Sequence, residues 1–90
     1  PEIDKVSYEL AELLEQAGDA EGAIAMFQRV LGRDPESAFA ADASYKIGQL
    51  HYANKQWQQA AEAYTKTAES TEDVDLLEKT LYRLGWSHYQ

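Results

Sequence analysis

The sequence repeats itself at a step of 37 residues, and that step limits the chain to folds built by stacking like units. Tyr45-Lys46-Ile47-Gly48 returns as Tyr82-Arg83-Leu84-Gly85. Each glycine is followed three residues on by a histidine (His51, His88) and then by a tyrosine (Tyr52, Tyr89). One step before Gly48 stands Ala11, with Tyr8 and Leu10 at the places of Tyr45 and Ile47. A second set keeps the same step, Ala23 with Ala60 and Phe27 with Tyr64. Self-similarity at this spacing marks solenoids and arrays, in which a unit buries its apolar face only by stacking on its neighbour.

Each unit reads as two helices. Val6, Leu10, Leu13, Leu14 and Ala17 recur at the three-and-four spacing of one helical face. Gly18 then supplies a C-terminal stop and Asp19 an N-cap for the next helix. That second helix carries Ala23, Ile24, Phe27, Val30 and Leu31, and ends at Asp34-Pro35, because the residue before proline is pushed out of helical geometry. The next unit gives a helix through Ala43, Ile47, Leu50 and His51, a polar break at Asn54-Lys55-Gln56, and a helix through Trp57, Ala60, Ala61, Tyr64 and Ala68. A last helix runs through Leu77, Leu81, Leu84 and His88. The fold expected is all-α, with five helices packed antiparallel in a stack. Small residues at Ala11, Gly48, Gly85, Ala23 and Ala60 let paired helices cross closely, while Phe27 and Tyr64 fill the adjoining space.

These residues resemble the tetratricopeptide repeat. The likeness rests on Leu10-Ala11, Gly18-Asp19, Ala23, Phe27 and Asp34-Pro35 in the first unit. Ile47-Gly48, Trp57, Ala60 and Tyr64 carry it in the second, and Leu84-Gly85 in the third. The resemblance implies a right-handed solenoid of two and a half units: unit one 4–40, unit two 41–77 and a half unit 78–90, together a single domain 1–90. Three features depart from the family pattern. The step exceeds the usual one of about 34 residues, with the extra residues expected in the connections at Ala38-Phe39-Ala40 and Asp75-Leu76-Leu77. Unit two has no terminal proline, and Ser7 and Ser44 stand where a large aromatic is usual. The longer step and the stretch Asp34-Pro35-Glu36-Ser37 look like repeat proteins of the bacterial envelope, the coordinator associated with the Tol–Pal system among them, which points to the periplasm over the cytoplasm. With Pro1 in place of Met, a mature or excised piece is expected.

Charge narrows the partners. The net charge is −8, with −6 in residues 1–21, +1 in 22–66 and −3 in 67–90. No Lys/Arg cluster offers the counterion release that drives binding to nucleic acid, and an anionic membrane surface is a poor partner on the same ground. No apolar run approaches the length of a membrane span. With no cysteine there is neither a disulfide framework nor a thiolate.

No constellation reads as an active site or cofactor site. His51 and His88 lack companion ligands and fall where helices pack, so a core role is expected for both. Ser44 and Ser87 have no base in place to activate them. Gly48 and Gly85 sit within helices and cannot form a phosphate loop, and Glu9, Glu12 and Glu15 lie along a solvated face. The expectation is a binding protein with no catalytic residue, metal or cofactor.

By the family register, the first helix of each unit lines a concave groove. That register puts Lys5, Tyr8, Glu12, Glu15 and Gln16 there from unit one. Asp42, Tyr45, Gln49 and Tyr52 follow from unit two, then Lys79, Tyr82, Trp86 and Tyr89 from unit three. The expected contact set is Tyr8, Glu12, Tyr45, Gln49, Tyr52, Lys79, Tyr82, Trp86 and Tyr89. Tyrosine and tryptophan give large contact area at low entropy cost. Flanking Glu12, Glu15 and Asp42 favour a partner protein or peptide with basic residues. A clamp for a terminal carboxylate, known in some family members, fits Lys79 and Arg83 but not Tyr8, Glu12 or Lys46. The alternative role is structural, as a spacer or oligomerisation segment. The last helix, bare around Leu81 and Leu84, predicts self-association.

Overall fold

The computed structural model describes residues 2–33 and 39–89, with side chains from residue 5 to residue 86. The helix end expected at Asp34-Pro35 and the side chains of Ser87, His88 and Tyr89 lie outside the described residues. Five helices follow one another: α1 (Glu2–Gln16), α2 (Ala20–Arg33), α3 (Ala40–Ala53), α4 (Trp57–Ser70) and α5 (Val74–Tyr89). The all-α helical-repeat class expected from the sequence is the one observed. Each helix packs on the next in sequence. The molecule measures 37 × 29 × 19 Å, and the shortest dimension suits two layers of helices about 10 Å across. Contacts between α1 and α3 and between α3 and α5 put the odd-numbered helices side by side in one layer. The even-numbered helices form the other.

Turn chemistry sets the hairpins. Gly18 adopts φ +86°, its N–H donates to Glu15 O at 3.1 Å, and the Asp19 N–H donates to Leu14 O at 2.9 Å. This is a Schellman close, and it needs a residue that tolerates left-handed backbone. Asp19 Oδ1 then accepts from the Gly22 N–H at 2.9 Å, capping α2 as expected. One repeat step later the same close recurs without glycine. Lys55 takes φ +61°, donating to Tyr52 O at 3.0 Å, and the Gln56 N–H donates to His51 O at 2.9 Å. Gln56 makes no side-chain cap. Its Oε1 instead accepts from His51 Nδ1 at 2.7 Å. His51 is therefore half-buried and ties down the α3–α4 turn, where the sequence suggested a core residue. Asp73 caps α5 through the Asp75 and Leu76 N–H groups. Residues 75–77, expected in a connection, are instead the first turn of that helix.

The core joins Ala11, Ala23, Phe27, Val30, Ala43, Ile47, Leu50 and Ala63. Tyr64 and Ala60 are fully buried beside it. A polar contact crosses the α3–α4 interface, Ser44 Oγ to Thr67 Oγ1 at 2.7 Å, where one hydroxyl donates to the other and the accepting one donates its own proton to a carbonyl of its helix. Ser44 thus fills the place of a large aromatic with a satisfied hydrogen bond. A Cβ added to Gly48 would lie 2.5 Å from Tyr64 Cε1, so this glycine is the close-approach point the sequence suggested.

Two expectations about packing fail. The α1 stripe is largely solvent-facing, with Val6 62% and Leu13 61% exposed, and Ala17 exposed as well. The buried positions of α1 are Ala11 and, in part, Tyr8 and Leu14. The reason lies in neighbours. Ala43, Ile47 and Leu50, the α3 residues one step after Val6, Leu10 and Leu13, are buried because α2 and α4 flank α3 on both sides. Among the described helices, α1 packs extensively on α2 alone and meets α3 only at its edge, where Glu15 reaches Lys46. Helix α5 shows the complementary asymmetry. Thr80 is fully buried against the α4 side, while Leu81 is 52% exposed. Gly85 has open space where Gly48 has Tyr64, so it is not a close-packing residue here.

Candidate functional site

Helical spacing of three, four and seven residues brings Tyr45, Gln49 and Tyr52 onto one face of α3, and Lys79, Tyr82 and Trp86 onto the matching face of α5. These six, with Arg83, line an open groove of about 710 Å³ between the two helices. Six of the nine expected contact residues thus share one cavity. Each ring is held differently. Tyr45 leans on the buried Tyr64 ring, centroids 5.7 Å apart, and Tyr52 meets Trp57 edge-on at 5.0 Å. Tyr82 and Trp86 form an edge-on pair at 6.2 Å and are the most open members, 67% and 43% exposed. An apolar recess beside them is formed by Leu81, Tyr82, Gly85 and Trp86.

Tyr8 and Glu12 lie outside this cavity. Tyr8 is half-buried, with its ring 5.3 Å from Phe27 and 5.6 Å from Phe39, so it is in part a packing residue. Its surroundings are acidic. Burial pushes its phenol up to about 12, and the charges of Asp42, Glu12 and Glu15 act in the same direction. Asp42 is itself raised above the ordinary carboxylate range by desolvation and by Asp73, with Lys46 opposing. Lys46 Nζ stands 3.9 Å from Glu15 Oε1 across the α1–α3 contact. Tyr89, the ninth residue, has its side chain outside the described residues.

Arg83 is the lining residue that the expected contact set omitted. Its guanidinium stands 6.0 Å from the centre of the Tyr45 ring, within cation–π range. Burial raises the Tyr64 phenol, and the charge and hydrogen bonding of Arg83 pull it partly back. Tyr64 Oη makes no hydrogen bond of full geometry, so that contact is electrostatic more than directed. The signal for Arg83 was present in the repeat. Lys46 and Arg83 occupy the same place in successive units, and each reaches back to the preceding odd-numbered helix, Lys46 to Glu15 and Arg83 to Tyr45.

The groove is therefore an aromatic trough with two cations. It presents flat apolar surface and charged donors, with no paired acid and base and no nucleophile–base contact among the described lining residues. Such a surface can hold a side chain or an extended or helical segment. The family profile of the tetratricopeptide repeat matches residues 8–74. No curated protein matches the chain.

Proposed function

Because the chain belongs to the tetratricopeptide-repeat family, whose repeats generally mediate protein–protein interaction and are typically not enzymes, we propose that it grips a segment of a partner protein in the groove between α3 and α5. The observation that carries this reading is the gathering of Tyr45, Tyr52, Tyr82 and Trp86 around one open trough, two of them well exposed. A folded protein of this size has little reason to hold paired aromatics open to water unless another surface covers them. Tyr8 and Glu12 extend the contact along α1, where Glu12, Glu15 and Asp42 favour basic residues on the partner. In this reading the units run 4–40, 41–77 and 78–90. The 37-residue step and the stretch Asp34-Pro35-Glu36-Ser37 favour a place among bacterial-envelope repeat proteins resembling the Tol–Pal coordinator, and the periplasm over the cytoplasm.

Phage-displayed peptides selected on the wild-type protein test the groove. Trp86→Ala should weaken the selected peptides by about 2 kcal/mol or more, as truncation of hot-spot aromatics does. Gln59→Ala, on the exposed side of α4, should leave them unchanged. Equal affinity for wild type and Trp86→Ala, with a loss in Gln59→Ala, would move the contact to the opposite layer.

A second reading, as a spacer or self-associating segment, is favoured by the apolar side chains bared on α1 (Val6, Leu10, Leu13) and α5 (Val74, Leu81). Sedimentation velocity that shows a single monomeric species up to high concentration would remove its self-associating form.

A further inference from the structure

The 37-residue step sets Gly48 and Gly85 at the same place on α3 and α5, and the surface around that place is filled once and open once. On α3 the Tyr64 ring lies so close that a Cβ at Gly48 would stand 2.5 Å from Cε1. A Cβ at Gly85 meets no described atom within 4 Å. Leu81, Tyr82 and Trp86 frame an open recess of about 460 Å³ around Gly85. Resting on the self-associating reading above, and independently of the groove, we infer that this recess takes the Tyr82 ring of a second copy of the chain.

Shape and charge both select this occupant. Tyr82 and Gly85 stand one turn apart on α5, and Tyr82 is 67% exposed. A ring and a recess so close together on one helix complement their own copies. A two-fold axis between them sets two α5 helices antiparallel and lays each ring over the other's glycine, so one operation fills both recesses. The absent Cβ lets the helices approach closely, as Gly48 does between α3 and α4. Residues 79–90 contain Lys79 and Arg83 and no acid, whereas Glu72, Asp73, Asp75 and Glu78 precede them. Crossing over Tyr82 and Gly85 therefore keeps the two acidic stretches at opposite ends of the pair. Arg83 lies back against Tyr45 of its own copy. The bare face of α1 suits a second copy less well. Its small residue, Ala11, is already buried, and Glu2, Asp4, Glu9, Glu12 and Glu15 run its whole length against Lys5 alone. Two such helices bring like charges together in either orientation. One pair of crossing helices covers less than the roughly 1,200–2,000 Å² of a stable interface, so the dimer is weak and depends on concentration. Tyr82 and Trp86 also line the groove, so a copy seated on α5 competes with a groove ligand.

Sedimentation equilibrium over a wide concentration range tests the contact. Wild type should show a monomer–dimer equilibrium. Gly85→Ala should weaken it by about tenfold or more, since the added Cβ overpacks against the incoming ring. The same variant should be no less stable than wild type at concentrations where both are monomeric, because that Cβ meets open space in the single chain. Tyr82→Ala removes the ring and should weaken the dimer similarly. A mixture of the two variants keeps one intact seat, the Tyr82 ring of the Gly85→Ala copy on the glycine of the Tyr82→Ala copy. It should therefore associate more tightly than either variant alone. A monomer at every concentration overturns both the α5 contact and the self-associating reading. Dimerisation that Gly85→Ala and Tyr82→Ala leave unchanged overturns the α5 contact alone and moves self-association to another face. Weakening in both variants with no recovery in the mixture overturns the two-fold arrangement.

Discussion

A methyl group added at Gly48 and at Gly85, two positions one repeat step apart, should change stability in opposite directions. Alanine in place of glycine inside a helix gains about 1 kcal/mol from propensity alone. At Gly85 nothing lies within 4 Å of the new Cβ, so most of that gain should survive. At Gly48 the methyl would come 2.5 Å from Tyr64 Cε1 and 2.6 Å from Cδ1. Carbon atoms settle about 3.5–4.0 Å apart, so the ring would have to retreat by roughly 1 Å. Tyr64 is fully buried and has no open side to move into. Overpacking of this kind costs about 1–3 kcal/mol. Set against the propensity gain, the net should be a loss of about 1 kcal/mol, which separates the two variants by about 2 kcal/mol. For a domain of this size, that gap corresponds to melting temperatures roughly 10 °C apart. Thermal unfolding followed at 222 nm and by tyrosine fluorescence measures it, with coincident transitions as the check on two-state behaviour. Tyr64→Leu placed in the Gly48→Ala background should recover part of the clash. Equal stabilisation by both alanines would refute the close α3–α4 approach, and a loss at Gly85 would mean that something covers it.

Other outcomes follow from the turn and from the buried phenol. Lys55→Gly should raise stability by about 0.5–1 kcal/mol, because glycine adopts φ +61° without the Cβ penalty. Lys55→Ala, which keeps the penalty, should not, and urea denaturation of the two distinguishes them. Tyr8, with its folded pKa raised to about 12 from an ordinary 10.0, holds its proton in the folded state after the unfolded chain has lost it. Its contribution is full below pH 10 and is lost as pH rises from 10 through 12, on the order of 1 kcal/mol once the screening at a half-buried group is allowed for. Tyr8→Phe should flatten that alkaline fall in stability, and an unchanged pH profile would show that Tyr8 is not its source.

Much of the groove was legible because a helix imposes its spacing on side chains whatever packs around it. Tyr45, Gln49 and Tyr52, and likewise Lys79, Tyr82 and Trp86, share faces by their three- and four-residue intervals. Arg83 was legible only as a recurring base. Its place in the groove depends on the Tyr45 ring of another helix, and no local interval encodes that contact. Tyr8 matched Tyr45 and Tyr82 in spacing, yet Phe39 and Phe27 draw it partly into packing at the acidic end.

The sequence alone determined the five helices, the Gly18 and Asp19 hairpin chemistry, and the pairing of a small residue at Gly48 with the aromatic Tyr64. All of these rest on short-range backbone rules or on a repeat step that can be counted. The tertiary structure alone decided which apolar faces are covered. Val6, Leu10 and Leu13 match Ala43, Ile47 and Leu50 in spacing. The first three face solvent while the second three are core, because α2 and α4 both pack extensively on α3, whereas only α2 does so on α1. Ser44 and Leu81 differ in the same way, the polar residue buried by α4 and the apolar one bare on α5. Periodicity specifies that a helix has an apolar face. Burial requires a second surface within contact distance, and that surface comes from elsewhere in the chain.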